Sequence, residues 1–321
     1  MYYLIFFIVA PAIVLIIVFS SIKKKKKRRA LSGQTSSKAP TKQSKEFVEK
    51  LAAAEAGDPE AQFFVGLCYS KGNGVAKDYN KAYEWIKRAA DQGYGPAINS
   101  LAYMTDYGRG TQKDHYEAND LYQEAIDNGN VTAIYNLGVS YSKGEGVKQD
   151  FYKAFQLFCE AAEKGSLSAL VAVGECYRDG EGVAQNYYTA ISYFEQAISK
   201  GSTRAMFLLG EMYDRKEYGM QDYDRSYYWY RKGADKGSAE CMDEIGLCYE
   251  YGTGVKEDEF EAFEWYKKSA EKGNKWGMYH LGRCYEKGYG VLAKSNRKAR
   301  YWYELAAKKG LKEAKDALLR L

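Results

Sequence analysis

Residues 61–93 read AQFFVGLCYSKGNGVAKDYNKAYEWIKRAADQG, and variants of this stretch follow one another to the end of the chain. Aligned on the motif Val65-Gly66-Leu67-Cys68-Tyr69, successive copies lie 36 residues apart. The first glycine of the motif is kept in six of the seven copies: Gly66, Ala102, Gly138, Gly174, Gly210, Gly246 and Gly282. Another column, from Gly93 to Gly310, holds glycine in all seven copies. A fixed period of this length is typical of repeat proteins built from stacked units.

Each copy predicts two helices joined by a glycine turn. Ala61, Val65 and Tyr69 are four residues apart, so their side chains share one face of the first helix, helix A. Glycines in the turn at residues 72–75 permit the positive φ that follows a helix end. Asp78 then stands where the second helix, helix B, needs an N-cap. Aspartate or asparagine recurs at this position in five more copies: Asp114, Asp150, Asn186, Asp222 and Asp258.

No single copy can bury its apolar face alone, so the copies are expected to stack into a solenoid. Residues 45–56 resemble a lone helix B and residues 311–321 a lone helix A, which predicts a capping helix at each end and sixteen helices in total. In the fifth copy, residues 216–219 read KEYG and replace Gly-x-Gly-Val, which predicts a different turn and a local change in curvature. The seventh copy has one extra residue between Val291 and Lys298.

The consensus Ala-x3-Leu-Gly-x2-Tyr-x2-Gly-x-Gly-Val-x2-Asp-x2-Lys-Ala-x2-Trp-Tyr-x-Lys-Ala-Ala-x2-Gly resembles the Sel1-like repeat family, whose α/α units are related to tetratricopeptide repeats. The resemblance covers residues 45–321. It implies an all-α fold, namely a right-handed α/α solenoid of seven 36-residue helix-turn-helix repeats with capping helices. It also implies a protein that binds other proteins as an adaptor or scaffold.

The first 44 residues differ in character from the repeats. Residues 1–22 carry no charged side chain and, as a helix of about 33 Å, would cross a hydrocarbon core of about 30 Å. Residues 23–29 are five lysines and two arginines, which predicts an N-terminus outside the membrane, a cytoplasmic repeat domain and contact with anionic lipid. Residues 30–44 read as a flexible linker. A cleaved signal peptide is disfavoured because the charge follows the apolar run rather than preceding it.

Charge and composition argue against several other functions. The net charge of +5 comes from residues 1–50, which carry +9, so the other 271 residues carry −4 and do not suggest a nucleic-acid binder. The six cysteines form no Cys-x2-Cys pair, and His115 and His280 lie five repeats apart, so we expect no metal or cofactor site. Buried thiols and surface or groove histidines are expected instead. No constellation of coupled titratable groups suggests an enzyme.

The expected functional feature is a binding surface. By analogy with tetratricopeptide solenoids, helix A lines a concave groove, and its exposed columns lie one and four residues after the first glycine of the motif. Asp243 and Glu244, which precede that glycine in the sixth copy, are expected to join them. The candidate partner-binding residues are Tyr103, Asp106, Glu175, Arg178, Glu211, Asp214, Asp243, Glu250, Arg283 and Glu286. The C-terminal half of this groove is mainly acidic, which predicts binding of a basic or amphipathic segment. An ordinary solvated face is the equally open alternative.

The sequence therefore favours a membrane-anchored repeat adaptor that binds a protein or peptide partner near the cytoplasmic face. The alternative is an exported, extracytoplasmic solenoid that binds cell-envelope or host components. The side of the membrane on which the repeats lie distinguishes the two.

Overall fold

The computed structural model describes residues 45–290 and 293–321, and within them it contains sixteen α-helices, one short 3-10 helix and no β-strand. The predicted anchor (1–22), basic cluster (23–29) and linker (30–44) lie outside the described residues. The helices are α1 (Lys45–Glu55), α2 (Pro59–Lys71), α3 (Tyr79–Ala90), α4 (Gly95–Tyr107), α5 (His115–Asp127), α6 (Val131–Lys143), α7 (Phe151–Glu163), α8 (Leu167–Asp179), α9 (Tyr187–Ser199), α10 (Thr203–Asp214), α11 (Tyr223–Asp235), α12 (Ala239–Tyr251), α13 (Glu259–Glu271), α14 (Lys275–Lys287), α15 (Asn296–Lys308) and α16 (Lys312–Leu318). The number and order of helices agree with the prediction.

The chain divides into two compact units, Met1–Trp85 and Ile86–Leu321, with the boundary inside α3. In the first unit, α1 and α2 enclose Phe47 and Val65, both fully buried. In the second unit, each helix packs mainly against the helices next to it in the chain, which is the packing of a helical solenoid. A right-handed superhelix stays a prediction. Among the described residues, no helix has both the length and the apolar character that crossing a bilayer requires.

The glycine of the Val-Gly-Leu motif lets the two helices of one repeat approach closely. A Cβ atom on Gly174 would overlap the ring of Phe194, which is fully buried. The same contact recurs at Gly246 with Tyr266. The aromatic residue of helix B therefore lies directly on the backbone of helix A, and the glycine column is a packing requirement.

Edge-to-face aromatic pairs join helix B of one repeat to helix A of the next. Phe155 with Tyr177, and Phe263 with Tyr285, have ring centroids 5.5 and 5.6 Å apart and interplanar angles of 90° and 87°. Such pairs add about 0.5–1.5 kcal/mol beyond the area that they bury. They give the tyrosine column of the motif a structural role. The second repeat is the exception, since it has Thr105 in this column.

The predicted N-caps of helix B are confirmed. Asp78, for example, accepts hydrogen bonds from the backbone N–H groups of Asn80 and Lys81. Helix A has caps of its own that the sequence analysis missed, since most helices of this class start after a capping side chain: Asp58, Asn130, Ser166, Ser202, Ser238 and Asn274. These side chains accept hydrogen bonds from backbone N–H groups in the first turn of helix A, where each repeat meets the one before it.

The two predicted irregularities have different outcomes. In the fifth repeat, α10 is followed by a 3-10 helix at Lys216–Tyr218 and by Gly219 with φ +68°, which confirms a turn unlike the others. The extra residue of the seventh repeat belongs to a turn that includes positions 291 and 292, outside the described residues.

All six cysteines are free thiols. Five are buried, as predicted, and Cys159 is half-buried. Burial raises the pKa of Cys176 and Cys248 to about 12, so both thiols stay protonated at neutral pH.

Candidate partner-binding groove

The ten candidate residues lie on α4, α8, α10, α12 and α14, but two of them are not groove-exposed. Asp106 and Asp243 are buried, which contradicts the expectation that they face a partner. Asp106 Oδ1 lies 2.6 Å from Nδ1 of His115, and Asp243 Oδ1 lies 2.9 Å from Nδ1 of His280. His280 is itself buried, so its expected position at the surface or in the groove is also wrong. Each of these pairs joins two different helices. Residue spacing within one helix therefore could not predict them.

Most of the other charged candidates pair with one another inside the chain. Arg283 donates to Glu250 at 2.9 Å, and Arg178 lies 3.6 Å from Glu211. Glu175 accepts from Arg204 at 3.0 Å. These pairs connect adjacent repeats, since each joins residues about 30 positions apart. They reduce the negative potential expected from the acidic column.

Two of the acidic side chains also accept a hydrogen bond from a tyrosine of helix B. The Tyr266 hydroxyl donates to Glu250, and the Tyr303 hydroxyl donates to Glu286, both at 2.6 Å. Burial alone would raise the pKa of Glu250, but the Tyr266 hydroxyl and the Arg283 guanidinium outweigh it and hold that pKa below its usual value. Glu250 is therefore part of the packing of its repeat.

A signal for this pairing was present in the sequence and was missed. In the four repeats where the column residue is acidic, the facing position of helix B is tyrosine: Asp106 with Tyr122, Asp214 with Tyr230, Glu250 with Tyr266, and Glu286 with Tyr303. In the repeats with phenylalanine or isoleucine there, the column residue is serine or arginine: Ile86 with Ser70, Phe158 with Ser142, and Phe194 with Arg178. In the sixth and seventh repeats, the column residue therefore reflects a contact inside the repeat.

Asp214 and Glu244 differ from this pattern. Among the described residues, no side-chain hydrogen bond or ion pair holds either carboxyl group, although the positive charge of Arg215 acts to lower the pKa of both. Both line a pocket of about 320 Å³ with Tyr223, Tyr230 and Tyr251. Burial, followed by the negative charge of Asp243, raises the pKa of Glu244 to about 8, and burial also raises the pKa of Asp214. This acidic pocket, between the fifth and sixth repeats, has no lysine, arginine or histidine among its lining residues.

A second pocket, one repeat further along the chain, has an arginine where the acidic pocket has none. That second pocket, of about 340 Å³, contains Glu250, Tyr266 and Arg283, which correspond to Asp214, Tyr230 and Leu247 of the acidic pocket. The arginine that neutralises Glu250 is thus replaced by leucine. His280 likewise corresponds to Glu244. The two differences at equivalent positions remove the arginine and add a second carboxyl group.

The raised pKa of Glu244 predicts a pH-dependent stability. The folded state holds the carboxyl proton more tightly than the unfolded state, whose pKa stays near 4.5, so unfolding releases a proton between these values. The free energy of unfolding should therefore fall as the pH rises from 5 to 8. Urea titrations across this range measure the effect, and Glu244→Gln should flatten the profile. A variant profile as steep as the wild-type one would contradict the assignment.

The Sel1 repeat matches the chain seven times: at residues 59–94, 95–130, 131–166, 167–202, 203–238 and 239–274 without a gap, and then at 277–311. The chain belongs to the Sel1 repeat family. Each of the first six matches spans one whole helix A and one whole helix B, and the seventh begins two residues inside α14.

Solved structures support the same assignment. A protective antigen of uropathogenic Escherichia coli with an SLR fold is 32% identical over 85% of this chain and 66% of its own, with a TM-score of 0.55. A Sel1 repeat protein from Oxalobacter formigenes is 30% identical over 76% of this chain and 96% of its own, with a TM-score of 0.61. Yeast Tom70, at 14% identity and a TM-score of 0.56, shares the fold alone. No curated protein sequence matches the chain.

Proposed function

We propose that this Sel1 repeat protein is a non-enzymatic adaptor that binds a basic segment of a partner protein through the acidic pocket between its fifth and sixth repeats. The observation that carries the proposal is the pair of unpartnered carboxyl groups of Asp214 and Glu244. A lysine or arginine side chain entering the pocket would take the place that Arg283 has in the next repeat. The membership of the family and the solenoid packing support a scaffold rather than a catalyst.

The surroundings of the pocket suit a peptide ligand. Tyr251 lines both the acidic pocket and its neighbour and is largely exposed, so one segment in the groove would reach both pockets. A charged donor to a half-buried carboxylate forms a strong hydrogen bond. Aromatic walls add favourable contact with a cation. Binding of an arginine or lysine should also lower the pKa of Glu244, because the complex favours its charged form.

A binding assay with defined peptides tests this proposal. The full-length chain is titrated with short lysine- and arginine-containing peptides and with matched glutamate-containing ones. The basic peptides should bind, and the double substitution Asp214→Asn, Glu244→Gln should weaken them about tenfold or more, as loss of a charged hydrogen bond implies. The matched control is Glu286→Gln, which removes one groove charge and keeps an acceptor for Tyr303.

A second variant separates binding from folding. Leu247→Arg would place an arginine where Arg283 lies in the next repeat, so it should fill the pocket and block the basic peptides while the chain stays folded. Equal losses in the double variant and in Glu286→Gln would overturn the pocket as the binding site. Unchanged binding in Leu247→Arg would do the same.

We also propose that residues 1–22 anchor the protein in a membrane, that residues 23–29 contact anionic lipid, and that the repeats lie in the cytoplasm. The uncharged run followed by seven cations supports this topology. A compartment-sensitive reporter fused after Leu321 tests it and should give a cytoplasmic signal. An extracytoplasmic signal would favour the exported alternative, in which the protein acts at the cell surface.

A further inference from the structure

We propose that Asp106, His115 and Glu145 form a binding site for a divalent transition-metal ion of the zinc class at the contact between the second and third repeats. The three side chains come from the end of α4, the first residue of α5 and the turn that follows α6. Their ligand atoms, two carboxylate oxygens and an imidazole nitrogen, all lie within 4.8 Å of one another. The site is separate from the acidic pocket.

The geometry is close to what a metal ion requires. Zinc holds nitrogen and oxygen ligands at about 2.0–2.2 Å, so neighbouring ligands lie about 3.3 Å apart. Asp106 and His115 are 2.6 Å apart, and a small movement apart would admit an ion. Glu145 has further to move, and its side chain is half-buried beside a lysine, Lys143, at 3.8 Å. The neutral imidazole would bind the ion through Nδ1 and keep its proton on Nε2.

The backbone around the site is held firmly in place. The amide nitrogen of Asn119, one turn after His115, donates to the carbonyl oxygen of Glu145 at 2.8 Å. Gly146, with φ +70°, packs so closely on the carbonyl of His115 that a Cβ atom there would clash with it. These contacts fix the turn that carries Glu145 against the start of α5. A site held in this way loses little conformational entropy when it binds an ion.

Two buried polar atoms, on residues that adjoin or contact the three ligands, form the second observation. Asn119 is buried, and its Oδ1 has no hydrogen-bond partner among the described residues, although its nitrogen is bonded to Glu145. The Oγ1 atom of Thr105, next to Asp106 in the chain, is likewise buried and unpartnered. Buried polar atoms of this kind are uncommon in native proteins. We expect a water molecule bound to the ion to donate to Oδ1 of Asn119, whose side-chain nitrogen already donates to Glu145.

The second repeat departs from the others at these positions. It is the one copy with histidine at the first position of helix B, where the others have tyrosine, phenylalanine, glutamate or asparagine. Thr105 stands where the other six repeats have tyrosine, and Asn119 stands where four of the other six have an aromatic side chain, as Tyr177 and Phe155 show. Polar groups thus replace aromatic ones around one histidine. The mixture of nitrogen and oxygen donors favours zinc over magnesium, which prefers oxygen ligands alone.

Zinc titration of the chelator-treated, full-length chain tests the proposal by calorimetry. We expect a single zinc ion per chain with a micromolar or tighter Kd, a raised Tm, and much weaker binding of magnesium. His115→Ala and Glu145→Gln should each weaken zinc binding about tenfold or more. Glu145→Gln alters a turn side chain and leaves the helices unchanged, so it remains informative if His115→Ala is unstable.

The matched control is the other histidine–aspartate pair. The Asp243 oxygen and the His280 nitrogen are 2.9 Å apart, but no third ligand lies within reach of them in the part of the chain that the structure describes. His280→Gln should therefore keep zinc affinity. The proposal would be overturned if zinc did not bind, or if His280→Gln lost as much zinc affinity as the variants of the site. It would also be overturned if zinc binding survived Glu145→Gln, and this outcome would indicate that the thiols bind the zinc.

Discussion

Gly182→Ala should lower the free energy of unfolding by about 2–4 kcal/mol, because it combines an unfavourable backbone conformation with a clash. Gly182 is the second glycine of the turn in the fourth repeat and has φ +73°. Its α-carbon lies against the start of α7, and an added Cβ atom would overlap the carbonyl oxygen of Phe151. Because both groups belong to the backbone, neither can move aside cheaply. The substitution should therefore loosen the contact between the third and fourth repeats.

Gly180→Ala is the matched control. Gly180, two residues earlier, has nearly the same φ of +75°, but a Cβ atom there would meet Cβ of Gln185 at 3.3 Å, a tight contact that a shift of a few tenths of an ångström relieves. Gly180→Ala should therefore cost less than Gly182→Ala, about 1–1.5 kcal/mol, most of it from the unfavourable backbone conformation. Urea unfolding followed by circular dichroism measures both values, and hydrogen exchange at α7 locates the damage. Equal losses in the two variants would show that the close approach to Phe151 contributes nothing.

Glu250→Lys should destabilise the chain by about 3 kcal/mol, although the residue lies in the predicted binding groove. The substitution leaves the buried hydroxyl of Tyr266 without its acceptor and places a second cation beside Arg283. The control Glu257→Lys makes the same change of charge at an exposed position and should cost less than about 0.5 kcal/mol. Thermal and urea unfolding compare the two. A similar small loss in both would mean that Glu250 is an ordinary surface residue.

The pH dependence gives an independent check on Glu250. Because its folded-state pKa is lowered, its carboxylate stabilises the fold above about pH 4.5, and this contribution disappears as the pH falls through the lower folded value. Glu250→Gln should lack this acid-dependent part. Charge reversal at Glu250 is consequently a poor test of partner binding, since a variant that loses its fold also loses its partner. Neutral substitutions at Asp214 and Glu244 avoid this problem.

Local signals in the sequence were sufficient for the helices and their order. The 36-residue period, the turn glycines and the aspartate caps such as Asp78 all act within a few residues along the chain, and the structure confirms them. The irregular turn at Lys216–Tyr218 was likewise visible as a break in the pattern. The caps of helix A were missed because serine and asparagine alternate there with aspartate and tyrosine, so the column looks unconserved between copies.

The charges of the groove could not be assigned from the sequence in the same way. A column of acidic residues looks like one acidic surface, yet Asp243 is buried against His280, and Glu250 is bound to Tyr266 and Arg283. Asp214 and Glu244, by contrast, have no side-chain hydrogen bond or ion pair among the described residues, and no cation lines their pocket. The sequence by itself determined the repeats, their helices and their turns, because these depend on neighbours a few residues apart. The tertiary structure alone decided which charges are free, because each pair joins side chains on different helices and depends on distances of a few ångströms between them.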